Sequence, residues 1–183
     1  MTPSPEAGHP GLATRLTVLI LAALVGISAF VFSNLPAEIP VHFGPGGAPD
    51  GFAATSWLSW MMLPLLAVAM SILLYGIGRL LARIPDQLNM PDPKLYLALP
   101  MAAKLQVVVL QQRILAEITV GLSLMFVALQ LGSYQVALGV RPALPWYSMA
   151  AIVGFVIFTI VVSVRGMKQS GALVRALTVS EGP

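Results

Sequence analysis

Cysteine is absent from this 183-residue chain, so a disulfide framework, a thiol nucleophile and a thiolate metal site are all excluded. Charge is also scarce. Charged residues make up 9% of the sequence, against the roughly 25% usual in soluble domains. Histidine occurs twice, as His9 and His42. There is no H-E-x-x-H run and no G-x-S-x-G elbow, so the common metallohydrolase and serine-hydrolase signatures are missing. The net charge of +3 comes without an aromatic-basic cluster or a basic groove, which argues against a nucleic-acid partner.

Apolar residues take up the space left by charge. They form 57% of the chain, and mean hydropathy is +0.87. They gather in four blocks, at 16–32, 57–78, 114–134 and 146–164. A stretch of about 20 apolar residues spans a bilayer, so the expected fold is an all-α integral membrane protein, a bundle of four transmembrane helices. The first block is longer than the ~7–15-residue apolar region of a signal peptide and reads as a retained helix. Trp57, Trp60, Trp146 and Tyr147 stand at block ends, as interfacial anchors do. Pro64 predicts a kink in the second span.

The basic residues predict orientation. Arg15, Arg79, Arg83, Lys94, Lys104, Arg113, Arg165, Lys168 and Arg175 all fall on one side of the four spans, and Arg141 alone falls on the other. By the positive-inside rule both termini are cytoplasmic, as is the loop 79–113, whereas the loops 34–56 and 135–145 face outward in the cell membrane. A single membrane domain covers 15–168. Residues 1–14 read as a disordered cytoplasmic tail, and 169–183 as a second cytoplasmic tail with a short amphipathic turn near 172–179. The proline-free stretch 101–113 predicts an interfacial helix that turns into the third span, or one long helix projecting into the cytoplasm.

The outer loop is rich in Pro and Gly, which specify turns rather than slack. Ile39, Val41 and Phe43 alternate as in a short extended piece, with turns expected at Gly46-Gly47 and at Pro49-Asp50-Gly51. The run L-P-x-x-I-P-x-H-F-G-x-x-G-x-P-D-G, carried here by Leu35, Pro36, Ile39, Pro40, His42, Phe43, Gly44, Gly47, Pro49 and Asp50, resembles the first outer loop of the SdpI-like family of bacterial membrane proteins. Asn89-Met90-Pro91 resembles a second, weaker signature of that family. Many relatives carry Asn where this chain has Gly44, and a Lys before the second span where it has Ala53-Ala54-Thr55-Ser56-Trp57. The resemblance implies a non-enzymatic protein that confers immunity to a peptide toxin at the outer face, signals to a cytoplasmic regulator, or does both.

The candidate site is His42 with Asp50, supported by Glu38, Pro40, Phe43, Gly44, Gly47 and Pro49. Either the pair forms a binding or proton-linked site, or Asp50 organises a turn and His42 bonds across the loop. No cofactor or metal is expected; Glu38, His42 and Asp50 are the donors a divalent ion would have to use. Within the third span, Glu117 either pairs with Arg113, snorkels, or serves a pathway, and Thr119, Ser123 and Gln130 fall together on one face of that helix, as interhelical bonds or a polar lining. The alternative functions are a small intramembrane enzyme using His42 and Asp50, or a transporter subunit using Glu117. Lipid is the one partner common to every reading.

Overall fold

The computed structural model describes residues 11–180. Four helices are long and apolar enough to cross a membrane, which makes this a multi-pass membrane protein: α1 (Leu12–Phe30), α2 (Trp57–Arg83), α4 (Met101–Ala137) and α5 (Trp146–Ser180). A two-stranded antiparallel hairpin, β1 (Glu38–Phe43) and β2 (Pro49–Ala54), joins α1 to α2, and the short helix α3 (Pro93–Ala98) precedes α4. The boundaries follow local chemistry. Ser56 caps α2 by accepting from the Ser59 amide, and the Ser59 hydroxyl reciprocates at the Ser56 amide. Pro85 denies Ile84 the helical conformation and ends α2. Asp92 caps α3 ahead of Pro93 at its first position. Gly139, at φ +69°, closes α4, where the Val140 amide bonds back to the Gln135 carbonyl.

α4 is the hub, packed against α1, α2 and α5. The main core joins Leu24 of α1, Ala67 of α2, and Leu122 and Phe126 of α4. Ser71 and Gly78 are buried on the same helix as Ala67, so that small-residue face admits close approach. Many large apolar side chains of α1, α2 and α5 lie outward and exposed, as lipid-facing surfaces must.

The structure corrects several boundaries. The helix starts at Leu12, so the tail expected over 1–14 includes residues that are helical; residues 1–10, with His9, lie outside the described residues. Of the two readings of 101–113, the interfacial helix is replaced by the long helix: the stretch is the first third of one unbroken 37-residue helix, about 55 Å long. Nothing in that stretch breaks the backbone, and its apolar face has something to bury against. Met90, Tyr96, Leu99, Ala103, Val107 and Val174 form a second core at the end away from the hairpin. Val174 belongs to α5, whose helix runs on to Ser180, so most of the tail expected over 169–183 is helix packed on protein rather than a turn on lipid.

This second core is pinned by polar groups. The Tyr96 hydroxyl donates to the Pro85 carbonyl at 2.7 Å, and the buried Lys104 ammonium donates to Asp86 Oδ1 at 2.7 Å. Burial, reinforced by the Asp86 charge, raises the Tyr96 phenol above its ordinary 10.0. The folded state therefore favours the neutral phenol. Its contribution is complete below pH 10.0 and is lost as pH climbs through the raised value. In an alkaline absorbance titration, Tyr96 should ionise above the ordinary phenol value. Tyr96→Phe should remove that late step and cost about 1 kcal/mol of stability.

Candidate functional site

The loop that joins α1 to α2 is ordered by its own backbone. The Gly44 amide bonds to the Ala48 carbonyl at 2.9 Å and the Gly47 amide to the Gly44 carbonyl at 2.8 Å. Gly47 has φ +76°, a conformation glycine adopts without steric cost. The turn expected at Gly46-Gly47 is therefore present. The one expected at Pro49-Asp50-Gly51 is not, because those residues start β2, where Pro49 pairs with Phe43 and Gly51 with His42. Neither proline there breaks the ladder: a two-stranded sheet has only edge strands, where Pro is tolerated.

Two irregularities in register set the geometry. Pro40 pairs with Phe52, His42 with Gly51 and Phe43 with Pro49, leaving Val41 and Asp50 as extra residues on their strands. Such bulges re-aim side chains. Here they bring Asp50 Oδ1 against His42 Nδ1 in a short hydrogen bond. Gly51 is required beside the pair, since a Cβ there would lie 2.9 Å from the His42 Cβ. A Cβ on Gly44 would lie 3.1 Å from Asp50 Oδ2. The His42 side chain is 73% exposed, and its Nε2 makes no hydrogen bond among the described residues. The pair is thus an oriented imidazole with a free nitrogen.

Beneath the hairpin lies a cleft of about 570 Å³. Its roof is the hairpin, from Ile39 through Pro45 together with Asp50; α2 contributes Ser59, Trp60, Met62 and Leu63, α4 contributes Leu129 and Ser133, and the other side is Leu144, Met149 and Ile152. The size and the apolar lining with a few polar groups are those of a ligand site. The roof is held down at its tip, where the Leu144 amide donates to the Gly47 carbonyl at 2.8 Å. At its base, Thr55 donates through its amide to the Ala37 carbonyl at 2.8 Å.

Of the residues singled out in the loop, His42 and Asp50 come together, Pro40, Phe43 and Gly44 line the same cleft, and Gly47 docks the turn. Pro49 opens β2 opposite Phe43. Glu38 does not join them. It pairs with Ala54 at the far end of the strand, and among the described residues no group of three His, Cys, Asp or Glu side chains is placed to hold a metal.

The polar residues of α4 divide. Glu117 is ion-paired with Arg165 of α5, not with Arg113 one turn away. Thr119 and Ser123 are buried but donate to carbonyls of their own helix, at Leu115 and Thr119. Their hydroxyl protons are therefore spent within α4 rather than on a neighbouring helix. Of these three, Gln130 alone donates to another helix, reaching the Trp60 carbonyl of α2 at 3.4 Å. That carbonyl lacks its helical partner because the residue four later is Pro64. Trp60 itself lay in the sequence only as an interfacial anchor. It is 3% exposed and donates through Nε1 to the Ser28 carbonyl of α1 at 2.7 Å.

Residues 19–68, which run from α1 through the hairpin into α2, match the family described as "Domain of unknown function (DUF1648)". An uncharacterized protein of Archaeoglobus fulgidus is 32% identical over 95 residues, 50% of this chain and 51% of that relative. The chain thus spans about half the length of the curated relative it matches. No solved structure matches the chain. The residues that build the hairpin and its junction with α2 fall inside the matched segment, whereas Leu129, Ser133, Leu144, Met149 and Ile152 of the cleft lie outside it, so this multi-pass membrane protein is similar to the DUF1648 family over residues 19–68 and completes the cleft with residues beyond them.

Proposed function

We propose that the protein is a non-enzymatic membrane receptor of SdpI-like type, which protects the cell against a secreted peptide toxin, signals its presence to a cytoplasmic regulator, or both. The carrying observation is the cleft under the hairpin, where an oriented imidazole stands at the mouth of an apolar space. The resemblance of the loop 35–51 to the SdpI-like motif supports the reading. His42 and Asp50 are the ligand-facing pair, and Gly44, Gly47 and Pro49 set the hairpin that presents them. Both termini are cytoplasmic in this reading, by the asymmetry of the basic residues, so the hairpin faces outward. The loop 79–113 and the projecting ends of α4 and α5, held together by the second core around Tyr96, are then the surface offered to a regulator.

An enzyme or transporter reading has less support. The His42–Asp50 pair has no third catalytic group assigned to it, and Glu117 is neutralised by Arg165.

The absence of native cysteine makes the orientation directly testable. A single cysteine replacing Gly46, whose surroundings are open, should react with a membrane-impermeant maleimide in intact cells. Labelling only after lysis would reverse the topology. With orientation established, cells producing the protein should survive secreted peptides that inhibit cells lacking it, and a His42→Ala, Asp50→Ala double variant should lose the protection. Unchanged sensitivity to every peptide, with no regulator recruited to the membrane, would refute the function.

A further inference from the structure

The depth of the cleft decides what can enter it. Trp57 and Trp146, both exposed, open α2 and α5 at the interface level. Leu63 lies six residues beyond the first and Ile152 six beyond the second, so the floor of the cleft is about 9 Å below that level by two independent helices. Met62, on the α2 side, is 47% exposed on the outer surface of the bundle. The cleft is therefore roofed by the hairpin, floored by α4, and bounded by helices that face hydrocarbon. An apolar space at this depth is poorly suited to water, and left empty it forfeits dispersion contacts along its whole lining.

Two polar features sit above that floor. His42 Nε2 is free at the mouth. One helical turn above Leu129, Ser133 lines the cleft; it is 5% exposed, and its hydroxyl has no hydrogen-bond partner among the described residues. A serine lining an apolar slot, with a hydrogen-bonding imidazole nearer the water, matches an amphiphile entering head-up from the bilayer.

We infer that the cleft seats the head-proximal part of a membrane glycerolipid, whose chain lies between α2 and α5 and whose polar group lies beneath the hairpin. Ser133 donates to an oxygen at the base of the head group, and His42 bonds the head itself. The inference rests on the same site as the receptor reading, to which it adds a resident ligand: a peptide arriving at the hairpin meets a cleft already filled.

Trp60 lines the cleft and reports on it. With Trp57 and Trp146 replaced by Phe, its fluorescence should fall by about half or more in bilayers of phospholipid brominated near the head of the acyl chain, because quenching by bromine needs near contact. Filling the cleft by Ser133→Leu should restore most of the intensity, and Met149→Phe serves the same purpose if the first variant fails to fold. Native mass spectrometry should show a retained phospholipid on the parent protein and its loss from the filled variant. Absent quenching, or quenching unchanged by filling, overturns the inference. Quenching by an aqueous agent in place of brominated lipid overturns it too, by showing a wet cleft. Failure of every peptide to act at the hairpin would end the receptor reading and leave this result untouched.

Discussion

Trp60→Ala should destabilise the bundle by about 3–5 kcal/mol, the largest effect of any single side-chain truncation proposed here. The indole is nearly fully buried, and three helices meet through it. Its Nε1 donates to the Ser28 carbonyl of α1, its ring lies 5.9 Å from that of Tyr134 on α4, and its own carbonyl accepts from Gln130. Truncation leaves a cavity beside the cleft and removes the bond to α1. Trp60→Phe keeps most of the volume and should cost only the hydrogen bond, about 1 kcal/mol. Gln130→Leu should cost a similar amount, because it strands the carbonyl that Pro64 leaves without a helical donor. Denaturation in detergent micelles, followed by far-ultraviolet circular dichroism, would rank the three. If Trp60→Ala proves no worse than Trp60→Phe, the cavity account is wrong.

What the sequence could and could not disclose follows from the range of each interaction. The spans were legible because hydropathy is a local property summed over many residues: three of the four blocks fall inside long helices, and the first, at 16–32, overruns the end of its helix at Phe30 by two residues. The strand at Glu38–Phe43 was legible from the alternation of Ile39, Val41 and Phe43. The second strand was not, because Pro49-Asp50-Gly51 is the composition of a turn and becomes strand only by pairing with residues before Gly44. The helical extensions at Met101 and beyond Lys168 depended on a core assembled from three separate segments, around Tyr96, Val107 and Val174. Neither stretch carries that information alone. Helical spacing offered Glu117 only Arg113 as an ion-pair partner, one alternative beside snorkelling or a pathway role, yet its partner, Arg165, is 48 residues distant. The bonds of Trp60 are equally remote, and only Pro64, a residue that must orphan a carbonyl, gave notice that a donor such as Gln130 would be needed.

Gly132→Ala should cost about 1–3 kcal/mol, whereas Gly154→Ala should be neutral or slightly stabilising. Both glycines lie inside long helices, where alanine is intrinsically better by about 0.5–1 kcal/mol, so propensity alone predicts a gain at each. Packing separates them. A Cβ at Gly154 meets nothing within 4 Å, whereas one at Gly132 would collide with the Ser148 hydroxyl and press on Pro145 and Leu144. Ser148 has no room to yield, since it is fully buried and its hydroxyl donates to the Ala128 carbonyl of α4 at 2.8 Å. The displacement must pass to the loop holding Leu144, whose amide is the latch on Gly47 at the hairpin tip. Gly132→Ala should therefore loosen the roof of the cleft as well as the helix pair, and limited proteolysis of the hairpin should accelerate in that variant but not in Gly154→Ala. Equal proteolysis in the two would mean that the α4–α5 contact and the hairpin are uncoupled, and that the Leu144 bond does not hold the cleft closed.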